Sequence, residues 1–238
     1  TAEQDIIDFV ADHYPELSVF INEWFGDSGQ IYMKTSGSTS EPKTISLSRE
    51  HMINSARATA AYFKLEAGSR ALLCLPLGFI AGRMMLVRSM VMGWHLDIID
   101  SASKPNIPSQ IGYDFSAMVP LQLYNSFDQL ENIKVLIVGG GEVSDTILNK
   151  IVSLGTKIYA TYGMTETITH IAVKKLNKRK ANSSKPVFEV LPNVEISLDD
   201  RNCLIINAPY LNTTLIVTND VVKLYSKTTF DLLGRIDN

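Results

Sequence analysis

The sequence predicts an α/β protein, with parallel sheets covered by helices and a smaller C-terminal β subdomain. Three observations carry this. Uninterrupted apolar runs such as ALLCLPL (71–77), FSAMVP (115–120) and KVLIVGGG (134–141) read as strands buried on both faces. Segments of helical periodicity separate them, the alternation of parallel strands joined by crossover helices. After about residue 185 the helical periodicity stops, and VEISL, CLIINA and LIVTNDVVKLY read as short strands between turns.

The elements follow in order. Residues 3–25 place Ile6, Phe9, Val10 and Phe20, Ile21, Trp24 at helical spacing, broken near Pro15, so two short helices are expected. IYMKT (31–35) reads as a strand running into SGSTSEPK. A helix follows Ser48, with Met52, Ala56, Ala60 and Phe63 on one face. After the strand at 71–77, residues 82–92 fit a helix and HLDIID (95–100) a strand. After 115–120, LQLYNSFDQL fits a short helix. Ser144 is expected to cap a helix carrying Ile147, Leu148 and Ile151, and KIYATYG (157–163) closes the series. In such sheets a ligand sits beyond the carboxyl ends of the strands.

Composition excludes several classes. The chain has 238 residues, 45% hydrophobic and 20% charged, ordinary for a globular protein and unlike disorder or a coiled coil. A net charge of −3 argues against a broad nucleic-acid surface. No stretch is apolar for long enough to span a membrane. Cys74 and Cys203 lie apart in apolar runs with no CxxC pair, which suggests packed thiols in a reducing, cytoplasmic compartment rather than a zinc cage or a disulfide framework. KKLNKRKANSSK (174–185) is a run of basic residues without an acid, read as a solvated loop or an attractor of a phosphate-bearing ligand.

Five segments carry potential chemistry. Thr35-Ser36-Gly37-Ser38-Thr39-Ser40-Glu41-Pro42-Lys43 follows a strand with hydroxyls, a glycine and a lysine, suited to phosphate oxygens but not a Walker loop. Tyr162-Gly163-Met164-Thr165-Glu166-Thr167 follows another strand. It offers an aromatic face for a base, a tight turn, a hydroxyl and a hard oxygen ligand suited to Mg²⁺. Gly139-Gly140-Gly141-Glu142 half-matches a dinucleotide fingerprint. It is weak evidence for a nicotinamide oxidoreductase and better read as a backbone surface for a flat base. Asp220 in Thr218-Asn219-Asp220 could accept hydrogen bonds from ribose hydroxyls, and Arg235 in GRIDN could reach sugar or phosphate. Together they describe ATP with Mg²⁺.

The set resembles the adenylate-forming superfamily of acyl-CoA synthetases, nonribosomal-peptide adenylation domains and luciferases. TSGSTSEPK looks like that family's phosphate loop, YGMTET its YGxTE element, TND its (S/T)GD and GRIDN its GRxD hinge, in the family's order over residues 35 to 238. LPLGFIAGRMMLVRSM and YGMTETITHIAVKKL look most like the o-succinylbenzoate–CoA ligases of menaquinone synthesis. The resemblance implies that Thr35, Ser36, Gly37, Ser38, Thr39 and Lys43 wrap the β- and γ-phosphates. Gly139, Gly140, Gly141 and Glu142 would border adenine, with Tyr162 stacking on it. Thr165 would touch the α-phosphate, Glu166 hold Mg²⁺ and Asp220 the ribose, helped by Arg235. Asp237 would be the pivot. A carboxylate would attack the α-phosphorus of ATP, and the CoA thiol would then displace AMP.

The resemblance also implies an organisation: an α/β nucleotide- and acyl-binding part over 1–185, a β-rich subdomain over 186–234 and a hinge over 235–238. The family's small C-terminal domain, with the lysine that serves adenylation, would begin after Asn238. The 238-residue chain is therefore expected to bind ATP or adenylate weakly and to turn over poorly alone. Ser40 and Asn219 replace family glycines, and Phe79 stands where relatives carry an acyl-site aromatic or histidine. The acyl pocket is expected between the helix after Leu77 and the 163–170 turn. Gly163 would border it, with Arg83, Arg88 and His170 as candidates for a second substrate carboxylate. His13, His51 and His95 read as structural. Alternatives are an adenylation domain for another acid or an amino acid, and a non-catalytic nucleotide-binding domain.

Overall fold

The computed structural model describes residues 2–34, 44–177, 186–211 and 214–236. Helix α1 (Ala2–His13) stops short of Pro15, which opens a 3-10 turn, Pro15–Leu17, leading into α2 (Ser18–Phe25). Proline suits a helix start because its missing N–H would be unpaired there anyway. On α2, Phe20, Ile21 and Trp24 are buried on one face. Strands β1 (Gln30–Lys34) and β2 (Thr44–Ser48) pair antiparallel, with Gln30 opposite Ser48 and Lys34 opposite Thr44. This hairpin brackets residues 35–43, which lie outside the described residues. The second strand goes beyond the sequence expectation; TISLS acquires its partner only from the pairing with β1.

Helix α3 (Arg49–Phe63) starts as expected at Ser48, whose hydroxyl accepts the His51 N–H at 3.4 Å. Then come β3 (Arg70–Leu73), α4 (Ile80–Met92), β4 (His95–Ile98), β5 (Tyr113–Met118), α5 (Pro120–Asn125), β6 (Ile133–Val138), α6 (Asp145–Ile151) and β7 (Lys157–Gly163). Strands β3 to β7 are parallel to their neighbours, in the spatial order β7-β6-β5-β3-β4. Alternate residues feed two cores. Leu73, Phe115 and Ile137 pack with Met52 and Ala56 of α3 and Met84 and Met85 of α4. Leu72, Leu136 and Val138 pack with Leu123 of α5 and Ile147 and Ile151 of α6. Both faces are thus covered, which is why these strands read as continuous apolar runs.

Beyond β7 the sheet turns antiparallel. Strands β8 (His170–Lys175), β9 (Phe188–Val190), β10 (Glu195–Leu198), β11 (Cys203–Asn207), β12 (Ile216–Ser226) and β13 (Thr229–Arg235) extend it to eleven strands, in the order β10-β11-β12-β13-β9-β8-β7 on this side. The strand-rich C-terminal part is therefore hydrogen-bonded to the parallel strands through β9 and β8. Strands β8, β9 and β13 are additions to the sequence reading: β8 and β13 each fold back on the strand before them, β7 and β12, and the three-residue β9 joins β8 to β13. No helix among the described residues is long and apolar enough to cross a membrane.

The first turn of α4 lies directly on backbone. A Cβ at Gly82 would stand 2.3 Å from the Pro76 carbonyl oxygen. A Gly82→Ala substitution, favourable on helix propensity, should therefore destabilise the fold by about 1–3 kcal/mol. Gly112→Ala, with nothing within 4 Å of the new methyl, should stay within about 0.5 kcal/mol of wild type. Urea unfolding of both variants checks this.

Candidate nucleotide and acid cleft

The carboxyl ends of β3, β5, β6 and β7 open onto a cleft of about 330 Å³. Gly139 and Gly140, just past β6, line one part of it. Thr161 and Gly163 of β7, then Met164 and Thr165, form a wall. Ile80, Ala81 and Arg88 of α4 and Ile168, Thr169 and His170 complete the lining. Gly163 is there by necessity: a Cβ would meet the Thr169 carbonyl oxygen at 2.1 Å. The chain folds back so tightly after β7 that only a hydrogen fits.

Of the sequence candidates, Gly139, Gly140, Gly163, Met164, Thr165, Arg88 and His170 line this cleft. Gly141 and Glu142 are exposed beyond it, and Glu166 is exposed on the 3-10 turn Thr165–Thr167. Thr35, Ser36, Gly37, Ser38, Thr39, Lys43 and Asp237 lie outside the described residues, as does 178–185 of the basic run. Phe79 is 51% exposed and borders a neighbouring, apolar depression of about 500 Å³ with Pro76, Leu121 and Gln122.

Tyr162, Asp220 and Arg235 come together across the sheet. Arg235 sits opposite Asp220 in the β12–β13 ladder, and its Nη1 lies 3.2 Å from Asp220 Oδ1. The Tyr162 hydroxyl donates to Asp220 Oδ2 at 2.5 Å. Its ring packs edge-on against Phe230 and tilted against Phe188 and is only 7% exposed. Burial first, then the hydrogen bond and charge of Asp220, raises the phenol's pKa far above its ordinary value. The ring thus offers little open face, and its hydroxyl instead orients the carboxylate. Thr218 adds an acceptor for the Asp220 N–H at 3.1 Å.

Sequence reasoning missed Arg201. It holds the Thr218-Asn219 segment of β12 beside Asp220, donating from Nη1 to Asn219 Oδ1 and from Nη2 to the Thr218 carbonyl, both at 3.1 Å. Asp199 orients it from the other side, accepting from Nε at 2.8 Å. No motif announces this residue, because its role comes from the register of β11 and β12.

The two arginines of α4 separate. Arg83 is not at the cleft: it donates to the Leu77 and Tyr32 carbonyls at 3.0 and 3.4 Å and lies over the Phe20 ring, tying β1 to the start of α4. Of the two arginines expected at the acyl site, only Arg88 lines this cleft. Arg88 is 2% exposed, and its Nε has no hydrogen-bond partner among the described residues. Burial pulls its pKa down to about 10, so it keeps its charge at neutral pH. His170, 5% exposed, likewise leaves Nε2 without a partner. Burial and then the Arg88 charge lower its pKa to about 3. At neutral pH the cleft wall therefore carries one desolvated cation beside a neutral imidazole.

Residues 27–206 match the family model for AMP-binding enzymes. The chain belongs to this family. Curated relatives include the 2-succinylbenzoate–CoA ligases of Bacillus mycoides, 23% identical over 194 residues and 76% of this chain, and of Bacillus pumilus, 25% identical over 210 residues. The chain spans about 40% of the length of the curated relatives it matches. Among solved structures, an acyl-CoA synthetase/AMP-acid ligase II-like protein from Dyadobacter fermentans superposes with a TM-score of 0.85 at 33% identity, over 95% of this chain and 66% of that one. The o-succinylbenzoate coenzyme A synthetase of Bacillus subtilis, in complex with ATP and a magnesium ion, shares the fold with a TM-score of 0.70 at 19% identity, over 87% of this chain and 50% of that one.

For an AMP-binding enzyme the buried His170 sets a pH signature. Its folded pKa lies below the ordinary 6.5, so the unfolded chain takes up the proton first. Its contribution is full above about pH 6.5 and declines toward pH 3, at up to about 1.4 kcal/mol per pH unit. A His170→Gln variant should show a shallower fall in unfolding free energy between pH 6.5 and 5, where the carboxylates contribute least. Denaturant melts across that window check it.

Proposed function

We propose that the chain is the nucleotide- and acid-binding portion of an AMP-forming acid–CoA ligase whose acid carries a second carboxylate, o-succinylbenzoate being the first candidate. The observation that carries this reading is the convergence of Arg88 and His170, both buried and both with an unpartnered nitrogen, on the cleft that Gly139, Gly140 and Thr165 also line. An unpaired buried cation is costly in an apolar wall, and an anionic ligand relieves that cost. A cation is also the wrong sign for the α-amine of an amino acid, which favours acid over amino-acid activation. The names of the curated relatives add support for the acid.

In this reading Asp220, oriented by Tyr162 and Arg235, accepts from the ribose hydroxyls. Gly139, Gly140, Gly141 and Glu142 border the base. Thr165 donates to the α-phosphate, while Thr35, Ser36, Gly37, Ser38, Thr39 and Lys43 neutralise the β- and γ-phosphates. Arg88 holds the distal carboxylate, so the reacting carboxylate points at the α-phosphorus near Thr165. Fixing two anions at reacting distance is most of the catalytic task. No cluster of three or more His, Cys, Asp or Glu suited to a metal occurs among the described residues. One exposed carboxylate, Glu166, fits Mg²⁺ bound jointly with substrate phosphates rather than in a protein cage. That ion would supply charge neutralisation at the phosphates. CoA thiolysis, rotation about Asp237 and a C-terminal domain bearing the adenylation lysine complete the reading, as does a cytoplasmic setting consistent with two buried free thiols.

Calorimetry of the 238-residue chain with AMP and with o-succinylbenzoate tests it. Arg88→Ala should weaken acid binding by about 30-fold or more, since truncating one partner of a buried charge pair costs about 2–5 kcal/mol, and should leave AMP binding intact. Equal acid affinity in wild type and variant would remove the anion subsite. No heat with AMP would remove the nucleotide reading.

A further inference from the structure

The tight reversal between β7 and β8 supplies Met164, Thr165, Ile168, Thr169 and His170 to the lining of the cleft. His170 is near enough to Arg88 to feel its charge. At its centre Ile168 adopts φ 66° and ψ −60°. Positive φ is a steric outlier for a β-branched residue, held only where the surroundings over-determine it. Here the Thr169 N–H donates to the Thr167 carbonyl at 2.7 Å, closing a γ-turn of the rarer, strained hand around Ile168.

Beside the backbone bonds from the Thr167 and Ile168 N–H groups to Met164 and Thr165, one side chain ties both ends of the turn together. Thr167 is fully buried and does not line the cleft. Its hydroxyl oxygen accepts the Met164 N–H at 2.9 Å. Its single proton is within reach of the Thr169 carbonyl at 2.6 Å and the Met164 carbonyl at 3.0 Å. Thr169 is thus fastened to Thr167 through both its N–H and its carbonyl. That same carbonyl stands where a side chain on residue 163 would be, and the Thr169 hydroxyl meets Ser55 of α3 at 3.0 Å.

We propose that Thr167 is the positioning residue of the site: its hydroxyl holds the strained turn that keeps Thr165 and His170 in place on the cleft wall. The nucleotide part of this inference rests on the reading above; the turn itself does not. Removing the hydroxyl while keeping the volume takes the Met164 N–H's partner away in a part-buried place, and the strain at Ile168 is then free to relax.

The experiment compares wild type, Thr167→Val and Thr167→Ser by amide exchange over residues 161–172 of the ligand-free chain and by calorimetric titration with AMP. In Thr167→Val, exchange at Met164 and Thr169 should quicken by about 10-fold or more, and AMP affinity should fall by about 10-fold. Thr167→Ser, which keeps the hydroxyl, should restore both, a rescue that loss of packing alone does not explain. Should the valine variant fail to fold, Thr167→Cys, with a much weaker donor and acceptor, takes its place. Unchanged exchange in the valine or cysteine variant overturns the proposal, and so does a loosened turn with wild-type AMP affinity. If wild type itself takes no AMP, the nucleotide reading fails on its own, and the exchange data still decide whether Thr167 holds the turn.

Discussion

One constraint governs the rest of this molecule: the chain must reverse direction within the few residues that separate β7 from β8. Strand β7 pairs parallel to β6 on one side and antiparallel to β8 on the other. It is the seam where the sheet changes from parallel to antiparallel pairing. The reversal demands the close approach of Thr169 to Gly163 and the unusual backbone at Ile168. Because it is so tight, residues that would otherwise lie apart along an extended chain meet across one cleft.

Electrostatics then distinguishes the Asp220 cluster, none of whose three residues lines the cleft, from the Arg88–His170 wall that does. At the Asp220 end a buried carboxylate is matched by a phenol and a guanidinium, so its charge is satisfied without leaving the fold. At the Arg88 end a buried cation faces a histidine that its own field helps to keep neutral. Structural charges are normally paired when buried. An arginine kept charged, dry and incompletely bonded on the wall of an open cleft is the observation on which the proposed anion subsite rests.

Much of the fold was legible because local rules agreed with the global one. The break at Pro15, the cap at Ser48 and the alternation of apolar runs with helical periodicity all reappear in the structure. Strands β8, β9 and β13 were not legible. A stretch such as His170–Lys175 has a short apolar run and basic flanks, and it becomes a strand only because β7 and β9 supply partners on both edges. The two arginines of α4 show a different limit. Positions five apart on a helix differ by about 140° around its axis, so they cannot share a face. Which of the two meets the cleft depends on how α4 docks. The glycines, Thr165 and Asp220 stood out through residue type, whereas Arg201 and Thr167 act through hydrogen bonds to backbone that no motif encodes.

The sequence by itself determined the alternating α/β architecture and which polar segments follow strands, because propensity, capping and hydrophobic period are written in neighbouring residues. Only the tertiary structure decided that Tyr162 spends its hydroxyl on Asp220, that Arg83 ties strands while Arg88 faces the cleft, and that eleven strands share one sheet. Those outcomes depend on register, docking angle and desolvation, which arise between segments distant in the chain.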